Sequence, residues 1–103
     1  MHKPTLDWVC GLYEGEGSTF VSKSGQPYVA VEMTDRDVVQ RFADFFGLNV
    51  TGPSLRSGSI KPLWRAQSAK RSKVREILSK MLPSLGDRRA HQALNVLDHL
   101  ECS

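Results

Sequence analysis

Two glutamates, Glu14 and Glu16, stand two residues apart among three glycines, Gly11, Gly15 and Gly17. They close an apolar segment that begins near Leu6. Carboxylates beside the free carbonyls of a helix C-terminus are hard oxygen ligands, suited to Mg2+. The segment makes a poor phosphate cradle. Such cradles sit at helix N-termini, where the dipole favours anions, and Glu14 and Glu16 repel phosphate. No Lys-Ser/Thr pair follows, as a Walker-type nucleotide loop requires. Zinc has no ligand set either: Cys10 and Cys102 form no Cys-x-x-Cys, and His2, His91 and His99 lack ligand spacing. Cys10 reads as a buried small hydrophobe and Cys102 as a terminal thiol.

A second cluster is basic. Arg56, Lys61, Arg65, Lys70, Arg71, Lys73 and Arg75 follow one another with no acid among them. Residues 1–50 hold four basic and seven acidic side chains, and residues 51–103 hold ten and four. A one-sided basic stretch is an electrostatic footprint for a polyanion, or a solvated basic face.

The elements that must position these groups follow from periodicity. Leu6, Val9, Cys10 and Tyr13 form one apolar helical stripe, with Thr5 or Asp7 as cap. Trp8, Gly11, Leu12 and Gly15 form a second stripe on the opposite side. A helix apolar on both sides is expected to be buried on both sides. Each glycine costs up to ~1 kcal/mol relative to alanine inside a helix, a cost that close backbone approach explains, and a second copy of the same helix is a natural partner. Beyond Gly17 the period becomes two. Ser18 to Ser24 and Tyr28 to Thr34 read as a hairpin, with Thr19 and Val21 competing with Phe20 for the inner face. Thr34 and Asp37 suggest a capping box before a helix striped by Val38, Phe42, Phe45 and Phe46 and ended by Gly47. Val50 to Arg56 and Pro62 to Gln67 form a second hairpin turning at Ser57-Gly58-Ser59, with Pro53 marking an edge or bulge. Trp64 and Ala66 face in, and Arg65 and Gln67 face out. Val74, Ile77, Leu78, Met81 and Leu82 stripe a helix that Pro83 ends. A last helix from Asp87 carries Ala90, Leu94, Leu97 and Leu100 inward. The expected fold is α+β, in the order α-ββ-α-ββ-α-α, with one four-stranded antiparallel sheet, helices on one face and the other face open.

The run Val9-Cys10-Gly11-Leu12-Tyr13-Glu14-Gly15-Glu16-Gly17 resembles the signature of the LAGLIDADG homing endonucleases, with the leading Trp8 and trailing Ser18 also common there. The element order, Phe45-Phe46-Gly47, and Leu82-Pro83-Ser84-Leu85 before basic residues extend the resemblance over most of the chain. The chain carries one copy of the motif. The resemblance therefore implies a homodimer whose signature helices pack through Trp8, Gly11, Leu12 and Gly15. It implies a metal-dependent, site-specific endonuclease that makes a staggered break in double-stranded DNA at a pseudo-palindromic site, in the service of intron or intein mobility. The cofactor would be Mg2+, or another divalent cation such as Mn2+, with no small-molecule cofactor. Glu16 matches the metal-binding acid and Gly15 the residue whose carbonyl joins it. Glu14 matches a structural acid. Asp35 falls where a polar residue orients active-site water. Arg88 falls where a basic residue lies beside the scissile phosphate, with Arg89 an equally defensible alignment.

DNA would lie on the open sheet face, since two-stranded ribbons read base edges in the major groove. The first hairpin would offer Ser18, Phe20, Ser22, Ser24, Gln26, Tyr28, Ala30 and Glu32. The second would offer Arg56, Lys61, Arg65 and Gln67, arginine suiting guanine and glutamine suiting adenine. Lys23, Lys70, Arg71 and Lys73 are placed to meet phosphate or solvent. For Phe20 and Tyr28, packing within the hairpin is the competing reading.

The whole sequence, 103 residues with 40% hydrophobic and 24% charged side chains, suits one small globular domain over 1–103. No apolar run reaches the ~20 residues of a membrane span. Met1-His2-Lys3-Pro4 has no h-region or cleavage site, so an intracellular, unsecreted protein is expected. Two other readings remain open: a catalytically silent DNA-binding regulator or splicing cofactor on the same fold, and an α+β module for small molecules or proteins.

Overall fold

Thr5 starts the first helix: its hydroxyl accepts the Trp8 N–H at 3.2 Å, which satisfies one orphan donor of the first turn. The computed structural model describes residues 4–55 and 61–102, with only the backbone of Cys102. The elements are α1 (Leu6–Glu16), β1 (Gly17–Val21), β2 (Pro27–Met33), α2 (Arg36–Phe46), β3 (Val50–Ser54), β4 (Leu63–Ser68), α3 (Arg71–Met81), a 3-10 turn (Leu82–Ser84) and α4 (Asp87–Cys102). The expected order and class are observed. The strands pair antiparallel in the order β1-β2-β4-β3, so the two hairpins join through their second strands.

Register divides the sheet into two faces. Gly17, Thr19 and Val21 lie opposite Val31, Val29 and Pro27, while Ser18 and Phe20 lie opposite Ala30 and Tyr28. The first set meets the helices, and the contest in β1 goes to Thr19 and Val21. Phe20 faces out, 44% exposed, stacked on Tyr28 at 5.1 Å between centroids. In β4, Ala66 is buried and Trp64 packs against the core, with Arg65 and Gln67 on the outer side. β3 is an edge strand whose register slips between Thr51 and Ser54, around Pro53. That is where a residue without an N–H fits.

Apolar side chains from all four helices fill the space above the inner face. Val9, Cys10 and Tyr13 of α1 meet Val29 and Val31, Phe42 and Phe46 of α2, Val74, Ile77, Leu78 and Met81 of α3, and Val96 and Leu100 of α4. Cys10 is a buried core residue as expected, and burial pushes its thiol pKa up. Gly47 ends α2 at φ 71°, a left-handed turn that favours glycine.

Several finer expectations change. α2 begins after Asp35 rather than Thr34, and the Asp35 side chain makes no capping bond, so there is no capping box. Its core stripe is Val39, Phe42, Ala43 and Phe46; Val38 and Phe45 are only half-buried. In α4 the buried positions are Ala93, Val96 and Leu100, with Leu94 51% exposed and Ala90 half-buried. Both helices contain apolar residues on adjacent stripes, and packing against the sheet chose the stripe one position away. The first hairpin turns over residues 22–26, with Ser22 N–H donating to Gln26 O and Gly25 N–H to Ser22 O. Ser22, Ser24 and Gln26 therefore belong to the turn, not to the outward face of a strand. Arg56 and Ser57-Gly58-Ser59 lie outside the described residues.

Gly17 joins α1 to β1 with no room for a side chain. A Cβ there would land on the buried Tyr13 ring. Gly17→Ala should therefore destabilise the fold by about 1–3 kcal/mol, read as a lower urea midpoint at unchanged slope.

Candidate nucleic-acid interface and carboxylate site

The end of α1 separates its two acids. The Glu14 carboxylate accepts the Gly86 N–H just before α4, and the Glu14 carbonyl accepts from Arg89 Nε at 3.1 Å. Arg89 is held in turn by Gln92 Oε1 at 3.0 Å, and its guanidinium lies 5.9 Å from the Tyr13 ring centre. Glu14 thus latches α1 to α4. Glu16 is exposed and makes no hydrogen bond or ion pair with a described residue. Gly15 beside it is exposed, so a carbonyl and a carboxylate stand together at a helix end.

The second stripe of α1 is open. A Cβ at Gly11 or Gly15 would meet nothing within 4 Å, and Trp8 and Leu12 flank them half-buried. Within one copy the expected second burial is absent, and the notch faces outward. Arg41 of α2 sits over Trp8, its carbon 6.0 Å from the ring centre. Its buried Nε has no described partner. No periodicity or spacing singles out this arginine, because it reaches the motif only through tertiary packing.

Arg88 and Arg89 also part company. Arg89 is committed to the α1 latch, whereas Arg88 is exposed with no partner among the described residues. Spacing alone does not distinguish Arg88 from Arg89, because an arginine side chain can lie on either side of a helix start. Asp35 is exposed at the start of α2. Among the described residues of one copy no three His, Cys, Asp or Glu side chains converge.

The outer sheet face carries a polar row. Glu32 and Arg65 are register partners, with Glu32 Oε2 3.5 Å from Arg65 Nη1. Arg65 Nε donates to Gln67 Oε1 at 2.6 Å. The Thr51 hydroxyl donates to Arg65 O at 3.4 Å. Ser18 is exposed beside Ala30, and Ala30 itself is buried on this face. At the hairpin end the side chains are tied into the turn: Ser22 Oγ and Ser24 Oγ are 2.9 Å apart, Ser22 Oγ accepts Gln26 N–H at 3.1 Å, and Gln26 Nε2 donates to Ala69 O. Lys23 and Lys61 are exposed. Lys70 and Arg71 open α3, and Lys73 pairs with Glu76 at 3.3 Å. Lys70 and Lys73 border an open concavity of about 470 Å3 shared with Gly47, Asn49, Thr51 and Gln67.

The chain has the fold of several solved homing endonucleases. It superposes on the homing endonuclease I-TnaI with a TM-score of 0.75 at 20% identity, covering 97% of this chain and 74% of that one. On I-CvuI in complex with its target the TM-score is 0.73 at 19% identity, covering 93% and 65%. On the group I intron-encoded I-CeuI complexed with DNA it is 0.76 at 16% identity, covering 98% and 56%. The chain thus spans about two thirds of I-CvuI and little more than half of I-CeuI. No family profile and no curated protein sequence matches it. No described helix is long and apolar enough to cross a membrane.

Burial pushes the Tyr13 hydroxyl up to about 12, with the Arg89 charge acting in the other direction. An unfolded tyrosine ionises near ~10. The folded state therefore holds the proton longer, and this contribution is complete below pH ~10 and lost as pH rises toward ~12. Tyr13→Phe should flatten that alkaline fall in a denaturation series. It should be nearly neutral at pH 7, because the hydroxyl has no described hydrogen-bond partner.

Proposed function

We propose that this chain, which has the LAGLIDADG homing endonuclease fold, is a homodimeric, divalent-cation-dependent endonuclease specific for a double-stranded DNA site. The observation that carries the reading is the division of labour at the end of α1. Glu14 is engaged in holding two helices together, and Glu16 is left exposed beside a bare glycine notch.

Two copies packed through Trp8, Gly11, Leu12 and Gly15 would bring both α1 ends to one axis. Two Glu16 carboxylates at close range repel unless cations share them, so dimer formation and cation binding support each other. Glu16 and the Gly15 carbonyl fit the group chemically: both are exposed hard-oxygen donors. Bound Mg2+ or Mn2+ would supply activation of water and neutralisation of charge at the scissile phosphate. The chain's own residues do the rest. Arg88, exposed and without a described partner, is a fixed positive charge for a phosphate oxygen; a guanidinium does not give up its proton in a protein, so it acts as a clamp and not as a proton shuttle. Asp35, exposed at the start of α2, orients water by accepting its hydrogens. Each copy would act on one strand, giving a staggered break.

The polar outer face of the sheet would lie in the major groove. Lys61, Lys70 and Arg71 would meet phosphates at its margin. I-CvuI and I-CeuI were solved with DNA, I-CvuI in the presence of Ca or Mg, which supports a DNA ligand and a divalent cation here. The same reading places the protein inside the cell with its target and in the mobility of an intron or intein.

A cognate duplex enriched from a random library should be cut on both strands in Mg2+ and left intact in EDTA. Glu16→Gln should lower cleavage at least ~100-fold, as loss of a transition-state electrostatic group does, with binding retained. Binding without cleavage by the native protein would instead make it a silent DNA-binding protein.

The glycines give a separate test of the dimer. Gly11→Leu and Gly15→Leu should sediment as monomers with unchanged or raised helix stability, because a Cβ at either position meets nothing within the copy. Native sedimentation as a monomer at every concentration, or dimers in both variants, would remove this interface.

A further inference from the structure

The row Glu32, Arg65, Gln67 crosses the middle of the outer face on the two central strands. One of its contacts is a hydrogen bond and the other an ion pair. Arg65 Nε is committed to Gln67 Oε1 at 2.6 Å, and Arg65 Nη1 lies 3.5 Å from Glu32 Oε2. Gln67 Oε1 is thereby engaged as an acceptor on one of its two lone pairs, which ties the orientation of its amide to Arg65 and away from a freely rotating fit to adenine. On Arg65, both Nη2 hydrogens and one on Nη1 carry no bond to a described residue. They form a fork of donors. The Arg65 and Glu32 side chains are 29% and 18% exposed, so the guanidinium lies along the sheet under partial cover rather than waving in solvent.

From this we infer that Arg65 is a guanine-reading residue and that Glu32 and Gln67 are its positioning residues, not base contacts of their own. The inference rests on the proposed DNA-binding reading of the sheet face. Guanine is the base whose major-groove edge presents two acceptors, O6 and N7, to a donor fork. An arginine free to rotate would as readily meet a phosphate. Glu32 on one flank and Gln67 on the other restrict that rotation, and the Glu32 charge discourages approach of a phosphate to the same spot. The network turns a general cation into a base-selective one. Specificity of this kind has a signature that a merely structural network lacks: removing the acid should weaken selection while strengthening unselective binding.

The test is selection from a randomised duplex library, with the enriched base at each position compared across variants. The native protein should enrich guanine at one position in each half-site. Arg65→Lys keeps the charge and loses the rigid planar fork that Glu32 and Gln67 hold, so guanine preference there should fall several-fold, with affinity for unselected DNA within about twofold. Glu32→Gln should lower the same preference several-fold and raise affinity for unselected duplex. Gln67→Ala should lower guanine preference without creating or removing an adenine preference. Unchanged guanine enrichment in Arg65→Lys overturns the inference. So does loss of a cytosine preference in Glu32→Gln, which would make the carboxylate a direct reader of the cytosine amino group. Failure of the native protein to enrich any sequence would sink the DNA-binding reading itself, and the inference with it. Matching thermal melts of all four proteins separate these outcomes from loss of folding.

Discussion

Arg89 and Gly86, at the start of α4, donate to the carbonyl and the carboxylate of Glu14. Those two bonds fix where α1 stops and which way its last turn faces. Gly17 follows at once, against the Tyr13 ring with no space for a methyl group, so the chain must leave the helix there and enter β1. Everything chemically interesting on this side of the molecule is a consequence. Glu16 can project outward because Glu14 does the holding, and Gly15 can stay bare because no other part of the same copy comes near it.

The sheet is organised by a second division. Its inner face is held by Val29, Val31 and Ala66 under four helices, and its outer face is left with Phe20, Glu32, Arg65 and Gln67. A sheet can keep a wet face when it is antiparallel and covered on one side only. The central strands β2 and β4 come from different hairpins, so the polar row at their junction forms only when the two halves of the chain meet. Its members are partnered with each other, which gives a face of ordered donors.

The fold is shared with I-TnaI, I-CvuI and I-CeuI at 16–20% identity. Core positions require apolar volume of the right shape more than particular residues, so one backbone can be specified by dissimilar sequences. The positions that cannot drift without consequence here are those where geometry leaves no slack: Gly17 beneath Tyr13, and the acid that accepts from Gly86.

The order of elements, α1 to its last residue, the open face of β4 and the edge character of β3 were legible in the sequence. Each is written in local patterns: 3.6-residue and two-residue periods, a glycine after an apolar run, a proline in a strand. The stripe that α2 and α4 bury was not legible, because Val38 and Val39, or Leu94 and Ala93, are neighbours and only the surface they meet chooses between them. Nor was the end of the first hairpin, where Ser22 and Gln26 bond across the turn and shorten the strand. The two glutamates and two arginines at the α1–α4 junction could be named from type and spacing. Which of each pair is bound and which is left exposed depends on contacts between residues 14 and 86 and between 14 and 89, a separation in the chain that no local pattern spans.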